Sequence, residues 1–239
     1  MSNSHVQFIK SQAKNILEEA VMSISCMDVG NKMESYPLFE YILQSVFLRM
    51  TGFLEQKLKC ICWELATDDY EYRYERFSKR RLGECSSLSE KASVLNDIIS
   101  QIKKIKGFTT VEKSKIINEA SQSLSILERI KYMNEYDYSL LIDFVKNFPE
   151  SSFIKIGEKE KYDIFVDPLK KEYDCLYTHR NRCAHNLLSY QANLPDLKKL
   201  SDSEYIKPSY FKFFYILILI DELFICLWNE YENAATSRL

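Results

Sequence analysis

Within six residues, Arg180-Asn181-Arg182-Cys183-Ala184-His185, the chain brings together two guanidinium groups, an amide and an imidazole. The only other histidines are His5 and His179. An Arg and a His at this spacing are a minimal kit for cutting RNA without a metal. Cleavage by the RNA's own 2′-hydroxyl needs a base near that oxygen, charge stabilisation at the phosphate and a proton for the leaving oxygen. An imidazole titrating near ~6.5 can serve as base or acid at neutral pH. An Arg fork can hold the charge that builds on the phosphorane.

The apolar spacing predicts that the hexapeptide lies late in a helix opened by Asp167-Pro168, with Asp167 as N-cap and Pro168 at the first helical position, and reaching about Leu188. At about 100° per residue, Arg180 shares the apolar side with Leu169, Tyr173, Leu176, Cys183, Ala184 and Leu187. Asn181 and His185 are i,i+4 neighbours on the adjacent flank, with Asp174 and Thr178, and can reach one ligand. Arg182 and His179 lie further round. A guanidinium on an apolar side is costly without a counter-charge. Three carboxylates are candidates: Glu55 in the second helix, and Asp221 or Glu222, which interrupt the apolar last helix. A plain Arg–carboxylate pair inside a helical bundle accounts for the same residues structurally, since matches this short recur freely.

The rest of the chain supplies the frame. Its 239 residues are 46% hydrophobic and 28% charged, with a net charge of -2, so a large core is available and any nucleic-acid surface must be local. Five Gly and five Pro are too few for a turn-rich β-sandwich or barrel. No Gly-rich phosphate loop can be assembled. Helical periodicity predicts an all-α chain: helices at about 6–27, from about Ser35-Tyr36-Pro37 past Leu65 with Gly52 as a place to bend, 70–81, 88–105, from Thr109 or Thr110 to about 133, 136–147, then the motif helix, and 209–232. Residues 151–166 read as short strands or loop, and 191–207 as loop. One domain over 1–239 is the economical organisation, with 82–150 as helical elaboration on a bundle. Seven scattered cysteines without a CxxC read as buried, reduced thiols of a cytoplasmic protein. Phe211–Trp228 is apolar, but Lys212, Asp221 and Glu222 make it a core helix and not a membrane span.

An Arg followed by Asn, then His after a short gap, late in an amphipathic helix and ahead of a very apolar final helix, resembles the HEPN superfamily of small helical proteins. Phe53-Leu54-Glu55 is similar to the early family helix that carries a Glu. The resemblance covers about 47–65 and 176–228; no motif matches in between. It implies a metal-independent endoribonuclease of toxin–antitoxin or anti-phage defence type, working as a homodimer with two motifs in one cleft. His185 would be the catalytic imidazole, Arg180 the phosphate-binding cation and Asn181 the orienting residue, supported by Glu55, His179 and Arg182. Leu187 stands where one subgroup carries a modified Tyr, so that form of control is not expected. An antitoxin or other regulatory protein is an expected partner, and no cofactor is.

Tyr70–Arg81 interleaves rings with Arg73, Arg76, Arg80 and Arg81, a mix that can stack and neutralise single-stranded RNA; an ordinary solvated helix edge explains it equally well. His179 and Cys183 have metal-ligand spacing, but no third ligand supports a metal. Asp68-Asp69 reads as a helix boundary. The rivals to the nuclease reading are a non-catalytic module that binds RNA, a nucleotide or a protein with the same Arg180 as an ion pair, and a helical scaffold carrying the motif by accident.

Overall fold

The computed structural model describes residues 4–25, 36–79, 83–108, 110–157, 160–185 and 208–237. It is all-α. Helices α1 (Ser4–Lys10), α2 (Lys14–Ser25), α3 (Tyr36–Asp68), α4 (Tyr70–Arg73), α5 (Leu88–Ile105), α6 (Lys113–Ser121), α7 (Leu124–Arg129), α8 (Glu135–Lys146), α9 (Leu169–His185) and α10 (Tyr210–Thr236) are joined, among the described residues, by one two-stranded antiparallel sheet. Its strands, β1 (Lys155–Ile156) and β2 (Tyr162–Asp163), pair Lys155 with Asp163 and Ile156 with Tyr162.

The centre of the fold is α10. Ser209 caps it, its hydroxyl accepting the Lys212 N–H at 3.1 Å. Every residue from Tyr210 to Phe224 is buried, and α3, α5, α6 and α8 all pack on it. A helix that is apolar all round is stable only when surrounded in this way. The three charges that interrupt it each have a partner. Lys212 forks to both oxygens of Glu172 on α9, at 2.8 and 3.0 Å. Asp221 is paired with Lys57 of α3 and also accepts the Ala13 N–H at 2.7 Å. Glu222 accepts from the Gln12 amide at 3.0 Å. None of the described helices is long and apolar enough to cross a membrane.

The structure departs from the helical periodicity in identifiable places. The first expected helix is two, broken at 11–13. The break frees the Ser11 carbonyl to accept Lys57 Nζ at 2.6 Å, and the Ala13 N–H to reach Asp221. A continuous helix would have consumed both groups. The 109–133 helix is likewise α6 and α7, followed by a 3-10 turn at Lys131–Met133, and the residue before α6 is Glu112, not a capping Thr. Residues 74–79 are wound as a π-helix continuing α4. Pro168 joins Asp167 through a cis bond and lies outside α9, which starts at Leu169. By contrast α3 passes Gly52 without interruption, and α5 spans the expected residues, opened by a capping box between Ser87 and Glu90. Of the helices in the 82–150 region, α5, α6 and α8 pack on α10.

Candidate active site

Helix α3 carries Glu55 and Lys57 two residues apart, about 200° around its axis. The two charges therefore leave the helix on opposite sides. Lys57 goes inward to α10, and Glu55 goes to α9. Arg180 Nη2 donates to Glu55 at 3.0 Å, and its Nη1 donates to the Asn181 side-chain oxygen at 3.2 Å. Of the three carboxylates the sequence offered, Glu55 is the partner of Arg180. Asp221 and Glu222 are held by Lys57 and Gln12 on the far side of α3.

The pair sits at the rim of the core. The Arg180 side chain is 21% exposed and that of Glu55 13%. That is buried enough for the ion pair to be firm and open enough for the guanidinium to meet an anion. Beneath it lies a cavity of about 10 Å³, on the order of a single water, lined by Thr51, Glu55, Lys91, Tyr173 and Arg180 among others. Lys91 of α5 is 3% exposed. It donates to the Ser86 carbonyl at 3.0 Å, and the Tyr173 hydroxyl donates to the same oxygen at 2.7 Å. Burial pulls the Lys91 ammonium down to about 8, with the Glu55 carboxylate opposing that fall. Glu55 thus has a second cation, Lys91, across the same small cavity, besides its partner Arg180. Sequence reasoning missed Lys91. The signal was present, because Lys91 lies one turn ahead of Val94 and Leu95 on the apolar stripe of α5, the same anomaly that singled out Arg180.

His185 is the last residue of α9, one turn beyond Asn181 and about 6 Å further along the axis; its side chain lies outside the described residues, as does Leu187. Arg182 is partly exposed. His179 is partly buried among aromatic side chains. Its ring lies among Phe47, Tyr210 and Phe213, with centroid distances of 5.6, 5.2 and 5.6 Å. Nε2 contacts the Tyr210 hydroxyl at 3.1 Å and the Cys183 thiol at 3.5 Å. Burial, helped by the Arg182 charge, lowers the ring to about 4, so it is neutral at physiological pH. The expected supporting role in RNA binding gives way to a packing role.

This placement has a measurable consequence. In the unfolded chain the imidazole gains its proton as pH falls through its ordinary 6.5, whereas the native ring resists until about 4. The stabilisation is complete above 6.5 and is lost as pH falls from 6.5 towards 4, by up to about 3 kcal/mol. In urea unfolding measured across this range, His179→Gln removes that part of the acid slope. Parallel losses in variant and wild type would show that the ring is not held neutral.

The basic-aromatic segment divides on folding. Arg76 is turned inward, 6% exposed, with Nη1 donating to Ser93 at 2.9 Å and Nε 3.4 Å from Asp97. The expected RNA contact at Arg76 is corrected accordingly, since the guanidinium belongs to the packing of the π-helix on α5. Arg73 is exposed, its guanidinium 5.0 Å from the Tyr70 ring centre. Arg80 and Arg81 lie outside the described residues. Asp69 caps α4 through the Tyr72 N–H at 3.0 Å and is held near 2 chiefly by Lys104, and Asp68 accepts from the Tyr231 hydroxyl at 2.9 Å. Both aspartates are therefore structural.

Fold and site together define an all-α chain with a surface-facing Arg–Glu pair at the start of an Arg-Asn-x-x-x-His helix end. No family model, no curated protein and no solved structure matches the chain.

Proposed function

We propose that this protein is a metal-independent endoribonuclease of HEPN type, acting as a homodimer whose two motifs face one cleft, and serving as a toxin or anti-phage effector under the control of a partner protein. The observation that carries the reading is the Arg180–Glu55 pair. Glu55 aims the guanidinium across the α3–α9 rim, and Asn181 steadies it from the side. Those two bonds use two of the five N–H donors of the fork, and a phosphate can engage the outward ones.

The chemistry follows from these groups. The RNA 2′-oxygen attacks the adjacent phosphorus and its proton passes to an imidazole. The bond from phosphorus to the 5′-oxygen breaks, and that oxygen takes a proton from the second imidazole, His185 of the other copy. The products are a 2′,3′-cyclic phosphate and a 5′-hydroxyl. Arg180 stabilises the extra negative charge in the five-coordinate transition state.

The buried share of the Arg180–Glu55 pair favours a second reading, in which a non-catalytic module uses it as a fixed ion pair and binds RNA, a nucleotide or a protein without cutting. Induced expression separates the two. Wild type should arrest growth with visible fragmentation of total RNA, and Arg180→Ala and His185→Ala should do neither. Arrest with intact RNA, equal in all three, would leave the binding module as the better account.

A further inference from the structure

Glu55, Lys59 and Trp63 are successive i,i+4 neighbours on one ridge of α3, so the ridge that starts at the Arg180 counter-ion leads to Trp63 about 12 Å away. Trp63 is 59% exposed, although tryptophan buries more apolar area than any other side chain when a core will take it. Phe77 of the π-helix meets it edge to face, with ring centres 6.5 Å apart, and is itself 37% exposed. Together the two rings form a fixed apolar platform whose outer faces nothing in the described chain covers.

The charges around the platform decide what fits it. Lys59 lies between Glu55 and Trp63, its ammonium 2.6 Å from Glu84, a residue that is itself 79% exposed. A surface pair of this kind is weak, and a phosphate can displace the Glu84 carboxylate. On the α4 segment, Glu71 and Glu75 line a separate cleft of about 1000 Å³ against α5. Arg73 and Phe77 do not line it, and their spacing places them together on a different face. Glu71 and Glu75 thus border the cleft and not the platform, while the Arg73 guanidinium lies over the Tyr70 ring at 5.0 Å, one turn before Phe77. Rings flanked by cations suit a strand of stacked bases joined by phosphates.

We propose that the Trp63–Phe77 platform is a base-stacking subsite for single-stranded RNA, holding a nucleobase of the strand whose scissile phosphate lies at Arg180, with Lys59 on an intervening phosphate. The inference rests on the endoribonuclease reading and adds where the substrate strand runs. Sequence alone did not single out Trp63, which sits in a helix of regular amphipathic pattern.

The chain's two tryptophans make the test direct, because Trp228 is 2% exposed and Trp63 supplies the quenchable emission. The probe is a short oligoadenylate with every 2′-oxygen methylated, which cannot be cut. Titration into wild type should quench the exposed emission. With a dye-labelled copy of the oligomer, Trp63→Ala should weaken binding about ten-fold or more, and Trp63→Phe should restore most of it. Cleavage of unmodified RNA at sub-saturating concentration should fall in parallel. If Trp63→Ala binds and cuts as wild type does, the subsite is wrong while the nuclease stands. Wild type that cuts RNA with unchanged Trp63 emission also overturns the subsite, and points to a protein-docking face. Wild type that neither binds nor cuts RNA removes the nuclease reading, and the subsite with it.

Discussion

His185→Ala should lower single-turnover RNA cleavage by about 10²–10⁴-fold, the usual contribution of a positioned acid or base, while leaving the melting temperature within a degree or two of wild type. Arg180→Ala should cost about 10²–10³-fold, as loss of a transition-state charge donor does, but its stability signature differs. Removing the guanidinium leaves Glu55, 13% exposed, without its 3.0 Å partner. That costs about 1–3 kcal/mol, moderated by Lys91 across the small cavity. Arg180→Lys keeps the charge and loses the fork, so it should recover stability before activity. Melting curves and single-turnover rates on the same preparations separate the two effects. A His185→Ala enzyme that cuts at the wild-type rate would remove the imidazole from the mechanism.

The second large effect is on stability. Lys57 and Asp221 are 0% and 1% exposed and lie against each other in the core. Burial pushes the Asp221 carboxyl up and the Lys57 ammonium down, while each group's charge opposes the shift of the other. Asp221→Ala strips Lys57 of its counter-charge and the Ala13 N–H of its acceptor, leaving Lys57 the Ser11 carbonyl. Urea unfolding should report a loss of about 3–5 kcal/mol, the cost of an uncompensated buried charge. Replacing both partners by apolar residues, Lys57→Met with Asp221→Leu, should return much of it. A single variant within about 1 kcal/mol of wild type would show that the pair does not anchor α1 and α2 to α3 and α10. The two experiments are linked through α3. Lys57 seats the helix on the core, and Glu55, on its other side, aims Arg180.

The contrast between these two pairs shows what the sequence could carry. A helical wheel was enough to place Arg180 on an apolar side and to demand a carboxylate. It could not choose Glu55 over Asp221 or Glu222, because α10 is apolar on every side and its rotation about its own axis leaves no periodic mark. The break at 11–13 was equally silent, having neither Gly nor Pro; it exists because Lys57 and Asp221 take backbone groups that a helix would have used. Helix α5 was legible at about 88–105 because its ends are set locally, and the structure adds a Ser87–Glu90 capping box at its start. The π-helix at 74–79, the inward turn of Arg76 and the exposure of Trp63 are products of α4 packing against α3 and α5, and single-helix patterns do not encode them.

In the proposed mechanism the RNA's own 2′-oxygen is the nucleophile and this chain's side chains do the rest. The most direct test is to incubate purified protein with a defined RNA in excess EDTA and to determine the new termini, alongside the same RNA with one 2′-deoxy residue at the cut position. The expected products carry 2′,3′-cyclic phosphate and 5′-hydroxyl ends, with no cut at the 2′-deoxy linkage. Ends bearing a 5′-phosphate and a 3′-hydroxyl, or cleavage that appears only on adding a divalent metal, would contradict this mechanism.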